Sequence, residues 1–182
     1  VNQLQNPPTL DMPLDFARPE IQDIAGAQLT FTLPENLLNQ LNDIALKEEV
    51  SLFMVLMASY CTLLSKYTGQ EDLIVATPMA DRTKPGTENL IGFFVNALVL
   101  RFQLKSNQPF SELLQQVKNI CLEGFDHKDA PFEKIVEQLN PERDMSRAPL
   151  YQTSMTYQDV SKREQSMGCN EHSVEIIQNE IP

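Results

Sequence analysis

Few residues in this 182-residue sequence could do chemistry, and the best placed of them is an amide. Asn96 is the one polar side chain within the longest apolar run, Ile91-Gly92-Phe93-Phe94-Val95-Asn96-Ala97-Leu98-Val99-Leu100, which Arg101 closes. Such a run reads as a strand buried on both faces. An amide buried there costs a few kcal/mol unless it is hydrogen-bonded. Asn96 therefore has either a structural partner, bridging neighbouring strands, or a functional one. The other candidates are weaker. His127 and His172 are far apart, and neither has a second metal ligand at the usual spacing, so no metal site is expected. Nothing supports a Cys-His nucleophile pair. Glu133 and Glu137 stand one helical turn apart and read as a solvated helix face. There is no Gly-rich phosphate loop and no Gly-x-Ser-x-Gly elbow. The residues alone describe an α/β domain without a self-contained catalytic set.

The bulk properties narrow the class. Acidic residues outnumber basic ones 25 to 14, giving a formal charge of −11. That excess disfavours nucleic acid, whose phosphates need Lys/Arg patches, and anionic membrane surfaces as well. The chain is 42% hydrophobic and long enough to bury a core. No apolar run reaches the roughly 20 residues that span a bilayer, and no secretory leader pattern opens the sequence. The three cysteines, Cys61, Cys121 and Cys169, form an odd set without tight spacing. They read as free thiols in a reducing, cytoplasmic setting, with Cys61 and Cys121 packed as small core residues. The sequence runs from Val1 to Pro182 and reads as a piece of a longer polypeptide.

The elements that must position Asn96 follow from periodicity. Residues 1–26, with Pro7, Pro8, Pro13 and Pro19, read as an extended lead-in without helical period. Ala27 to Leu33 alternates with period two and predicts a half-buried strand. Pro34 stops it, and Leu37, Leu38, Leu41, Ile44 and Ala45 predict an amphipathic helix over 35–48. Ser51 is the expected N-cap of a buried helix from Leu52, with Gly69 ending it. Asp72 to Thr77 is a short strand buried on both faces, and Pro78 to Asn89 a polar loop. After the Asn96 run, Pro109 and Phe110 open a helix through about Glu123. Asp129 is the expected N-cap of a further helix with Phe132, Ile135, Val136 and Leu139 on its apolar face. Asn140 to Pro149 is a charged loop, and Leu150 to Gln158 and Ser173 to Ile177 resemble strands. The order β-α-α-β-β-α-α-β-β predicts an α/β fold, a mixed sheet packed with helices.

Six segments, in order, resemble motifs of nonribosomal peptide synthetase condensation domains. They are Met12-Pro13-Leu14-Asp15-Phe16-Ala17-Arg18-Pro19, Tyr67-Thr68-Gly69-Gln70-Glu71-Asp72, Thr77-Pro78-Met79-Ala80-Asp81-Arg82, the run Ile91 to Arg101, His127-Lys128-Asp129-Ala130-Pro131-Phe132-Glu133, and Arg143-Asp144-Met145-Ser146-Arg147-Ala148-Pro149-Leu150. The family's H-H-x-x-x-D-G active-site motif is absent, so no catalytic residue is assigned to this chain.

The resemblance implies that residues 1–182 are the C-terminal lobe of a two-lobed condensation domain of the chloramphenicol acetyltransferase type. Residues 159–182 would then form the crossover towards the N-terminal lobe. It implies partners: that N-terminal lobe, peptidyl and aminoacyl carrier proteins, and an adjacent adenylation domain. No cofactor would bind directly; the carrier proteins bring their own phosphopantetheine arms. The acceptor amine attacks the donor thioester and a peptide bond forms. Asn96, Arg82 and Gly92 are expected at the tunnel and lobe interface. There Asn96 would orient a thioester or a neighbouring group, and Arg82 would pair with the aspartate of H-H-x-x-x-D-G. Gly92 is expected to permit a close backbone approach or a bulge. His127, Asp129, Pro131, Phe132, Arg143 and Asp144 are expected to be structural, with His127 at the entry of a helix and bonded to backbone. The competing reading is a non-catalytic docking module for carrier or adenylation domains. An epimerisation-type relative of the same fold is a third.

Overall fold

In the computed structural model, residues 2–23, 25–80, 86 and 90–158 are described. Two apolar runs meet as antiparallel strands, β1 (Asp72–Ala80) and β2 (Val95–Gln103), with Val75 opposite Leu100 and Met79 opposite Asn96. Side chains alternate across the pleat, so the pair has two apolar faces. Leu73, Val75, Leu98, Leu100 and Phe102 lie on one face, and Ile74 and Val99 on the other. Both faces are covered by helices, which makes a layered α/β fold.

The first face carries the main core. Helix α1 (Glu35–Lys47) leans on α2 (Leu52–Thr68), and α2 packs against α3 (Phe110–Asp126). Helix α2 starts as expected: the Ser51 hydroxyl accepts from Met54 N at 3.3 Å. It stops as expected too, with Gly69 at φ +71° and its N–H on Ser65 O at 2.8 Å. Its Val55, Met57, Ala58 and Cys61 are wholly buried, as are Leu114, Val117 and Cys121 of α3. Gly124 lets α3 sit close on β2, since a Cβ there would lie 2.6 Å from Leu100 Cδ2. The second face is covered by α4 (Phe132–Leu139), through Phe132, Ile135 and Leu139, together with Leu4 and Tyr151.

Several expectations are corrected. Residues 27–33 are extended but form no strand, and Leu29 and Phe31 are exposed. They have the right period but no ladder partner among the described residues. The strand expected from Ile91 begins at Val95 instead. Ile91 is fully exposed and Phe93 is 90% exposed, so the front of the apolar run is not buried. Leu150 to Gln158 contributes one parallel bridge, Ala76 to Ser154, with Ala76 N on Thr153 O and Met155 N on Ala76 O. Among the described residues the sheet is mixed only through that bridge. Ser173 to Ile177 and Cys169 lie outside the described residues.

The lead-in is anchored rather than merely extended. Asn2–Leu4 forms a 3-10 turn and buries Leu4. Arg101 grips this turn from β2. Its guanidinium donates to Gln3 O at 3.0 Å and Gln5 O at 2.7 Å, and it pairs bidentately with Asp72 at 2.8 and 2.6 Å. The Asp72 hydrogen bonds raise the Arg101 pKa above its ordinary value. Such a fork holds strand ends and lead-in in one geometry, which a lysine would not reproduce. An aspartate at the start of one strand and an arginine near the end of the next, which antiparallel pairing brings together, is the sequence signal for it.

Candidate functional site

Asn96 stands at the start of β2, where the chain leaves α3 on one face of the sheet and reaches α4 on the other. The connection, residues 127–131, passes beside it, and its amide holds that connection. Asn96 Nδ2 donates to Lys128 O at 2.8 Å and to Ala130 O at 2.7 Å. Asn96 Oδ1 accepts from Phe132 N at 3.1 Å. Phe132 N is the first N–H of α4, one of the orphan donors of a helix start. The amide of the apolar run, half-buried rather than buried, is thus satisfied by a turn 32 to 36 residues on, not by a neighbouring strand.

This arrangement displaces the expected cap. The N-cap position of α4 is Pro131, which has no side-chain acceptor, and Asp129 is exposed outside the helix. The residue before a proline is pushed out of the helical region, so Ala130 cannot begin the helix. Ala130 N closes a turn on His127 O at 3.1 Å instead. His127 itself caps the C-terminal end of α3, its N–H on Gly124 O at 3.0 Å, rather than entering the next helix.

Around Asn96 lies an open cleft of about 580 Å³. Phe93, Phe94, Val95 and Ala97 line one side, Asp129, Pro131, Phe132 and Glu133 another, and Pro78, Tyr151, Ser154 and Thr156 the rest. Three of the six motif segments therefore converge on one depression. Phe132 and Tyr151 meet edge to face, with centroids 5.5 Å apart. Tyr151 follows Leu150, a buried non-glycine residue at φ +66° spanned by Tyr151 N on Pro149 O at 2.8 Å. Backbone of this kind is strained and persists only where its surroundings fix it. Gly92 stands next to the cleft, and the group close to it is the Phe94 ring, 3.0 Å from where a Cβ would be. What approaches Gly92 is therefore a side chain, not another backbone segment.

The charged loop forms a second, larger groove of about 1310 Å³ with the lead-in and the end of α4. Asp144 organises it: Oδ1 accepts from Ser146 N at 2.8 Å and Ser146 Oγ at 2.6 Å. Those two bonds, then the nearby Arg147 and Arg18 cations, hold the Asp144 carboxyl below the usual carboxylate value. Arg147 Nε lies 3.4 Å from Asp144 Oδ2, an ion pair without a directed hydrogen bond. Arg143 is exposed and makes no ion pair among the described residues. Met145 O accepts from Gln22 N at 2.9 Å, tying the loop to the lead-in. Arg82 lies outside the described residues. Of the residues expected at a tunnel, Asn96 lines this cleft and Gly92 stands beside it; Asp129, Pro131 and Phe132, expected to be structural only, line it too, and Tyr151, Ser154 and Thr156 were not expected there. Only the tertiary return of that segment to β1 brings them in.

The same fold occurs in solved structures. A four-domain nonribosomal peptide synthetase bound to AMP and glycine superposes with a TM-score of 0.82 at 29% identity, over 86% of this chain and 12% of that one. The X-domain from teicoplanin biosynthesis gives 0.79 at 27% identity, over 84% of this chain and 34% of that one. The condensation domain family model matches residues 2–181, and the chain belongs to that family. Its fold is correspondingly the chloramphenicol acetyltransferase-like α/β type. Among curated relatives, tyrocidine synthase 3 of Brevibacillus parabrevis is 44% identical over 156 residues, which is 86% of this chain and 2% of that protein. Surfactin synthase subunit 1 of Bacillus subtilis (strain 168) is 41% identical over 155 residues, 85% of this chain and 4% of that protein. The chain thus spans a small part of the synthetases it matches.

Proposed function

We propose that this chain is the C-terminal lobe of a condensation domain that forms peptide bonds between carrier-bound aminoacyl or peptidyl thioesters. The observation that carries the reading is the convergence of three family motifs on the cleft around Asn96. In this reading the cleft is one wall of the substrate tunnel, and Asn96, Gly92 and Arg82 stand at the tunnel and the lobe interface. The other wall, with the H-H-x-x-x-D-G histidine, belongs to an N-terminal lobe, and Arg82 pairs with that motif's aspartate. The partners are that lobe, donor and acceptor carrier proteins with their phosphopantetheine arms, and a neighbouring adenylation domain. Residues 159–182 cross towards the N-terminal lobe. The work is done in the cytoplasm.

A single lobe is then inactive. With aminoacylated donor and acceptor carrier proteins, the chain alone makes no peptide, and the chain joined to its N-terminal lobe makes it. Peptide formation by residues 1–182 alone would sink the reading. The exposure of Ile91 and Phe93 favours a second reading, in which the lobe is a docking surface only. Titration with a labelled carrier protein would then shift the amides of residues 90–95, while the joined domain would make no peptide.

A further inference from the structure

We infer that Asn96 is a positioning residue that serves α4 as an N-cap supplied from another element, and that it shapes the cleft through that cap rather than by touching a bound group. This rests on the reading of the cleft as a tunnel wall. The geometry leaves the amide little to offer elsewhere. Both Nδ2 hydrogens are used, at 2.8 and 2.7 Å, and Oδ1 is used at 3.1 Å. An amide carries two donors and one carbonyl acceptor, so only a second lone pair is left over.

The need for the cap is equally plain. Helix α4 has eight residues and buries none of them fully. It is too short to be stable alone, and its own N-cap residue is a proline that accepts nothing. Asp129, the obvious local substitute, is outside the helix. The cap must come from elsewhere, and β2 is the rigid element within reach. Through this cap, β2 fixes Pro131 and Phe132, and Phe132 fixes Tyr151 by their edge contact. All three line the cleft. One amide thus sets the spacing between the two motif segments that form the walls.

The requirement is for two donors and one acceptor, and this makes the test specific. Asn96→Ala removes all three bonds. Asn96→Asp keeps the acceptor for Phe132 N but turns an ionised carboxylate towards two carbonyl oxygens. That repulsion raises the carboxyl pKa, because the protonated form alone can donate. A group whose pKa is raised in the fold adds stability below its unfolded value and loses it as pH rises. Asn96→Asp should therefore stand closer to the wild type in mild acid, where the protonated carboxyl regains one of the two donor bonds, than at neutral pH.

The experiment uses the intact condensation domain, with backbone hydrogen exchange read at each pH against the wild type. Asn96→Ala is expected to speed exchange of the Phe132 amide and α4 by about tenfold, the size of a lost cap, with α2 and β1 unchanged. Asn96→Asp, which keeps the bond from Phe132 N, is expected to show a smaller increase at neutral pH and to lose part of it on acidification, and its peptide-forming rate, as a fraction of wild type, is expected to recover in part with it. Unchanged exchange in α4 for both variants overturns the inference. So does faster exchange with an unaltered peptide-forming rate, since the cap would then shape nothing the reaction uses. If Asn96→Ala fails to fold, the pH response of Asn96→Asp decides alone. A wild-type domain that makes no peptide would defeat the functional reading, yet the exchange arm needs no substrate and still tests the cap.

Discussion

Cys61 and Cys121 are held as thiols by burial. Desolvation, with a lesser contribution from the nearby Cys121, pushes the Cys61 pKa up to about 12, and desolvation pushes Cys121 to about 11. Thiols in the unfolded chain ionise near 8.5, so raised folded values mean stability that is complete below about pH 8.5 and declines as pH climbs towards 11. Two outcomes follow. At pH 8 iodoacetamide should leave both residues unlabelled in the native protein and label both in urea, as read by peptide mass spectrometry. Urea midpoints should fall between pH 8 and pH 10, and less so for Cys61→Ala. Labelling of native Cys61 at the rate of a free thiol would show that the α2–α3 interface opens. Both residues could be read as core from their apolar neighbours in sequence. Asn96 was legible only in part. That a buried amide needs partners follows from its surroundings, but which partners depends on a turn more than 30 residues away. Asp129 misled because local cap preference ignores what Pro131 does to Ala130.

Among the elements, α3 lies close on β2 at Gly124. A Cβ on Gly124 would meet Leu100 Cδ2 at 2.6 Å and Leu98 Cδ2 at 3.3 Å. Replacing a helix glycine with alanine ordinarily gains about 1 kcal/mol. Overpacking a filled core costs about 1–3 kcal/mol. Leu100 is only 2% exposed, so its Cδ2 must shift within a packed core and the cost should win. Gly124→Ala is expected to lower the urea-derived stability by about 1 kcal/mol; a gain instead would mean that Leu98 and Leu100 repack freely. Helices α2 and α3 were legible because their apolar residues match the surface they cover, whereas α1 has the helical spacing but leaves Leu37, Leu38 and Ile44 exposed. The segment 27–33 shows where that stops. Period two reports a strand's preference for two faces, but not whether a neighbouring strand is there to pair with it.

At the scale of the whole molecule, the unmatched apolar surface is the feature that calls for an explanation. Leu29 is 87% exposed, Phe31 75% and Phe93 90%, with Ile91 fully exposed. Single exposed apolar side chains are common and need no account. Here they are spaced as a strand in one case, and in the other they form the front half of the chain's most apolar run. Surface of this kind marks a contact site or an aggregation liability. The two-lobed arrangement proposed above would supply such a contact, whereas periodicity reads these residues as core by default. If these side chains await the rest of a condensation domain, they contribute little to this lobe's own stability. Phe31→Ser and Phe93→Ser in residues 1–182 should then change unfolding free energy by no more than about 0.5 kcal/mol. Each should lower the binding of a hydrophobic dye, and the joined two-lobed domain should bind the dye less than the lobe alone. A loss of several kcal/mol in either variant would place that ring inside the lobe's own core and remove it from the interface.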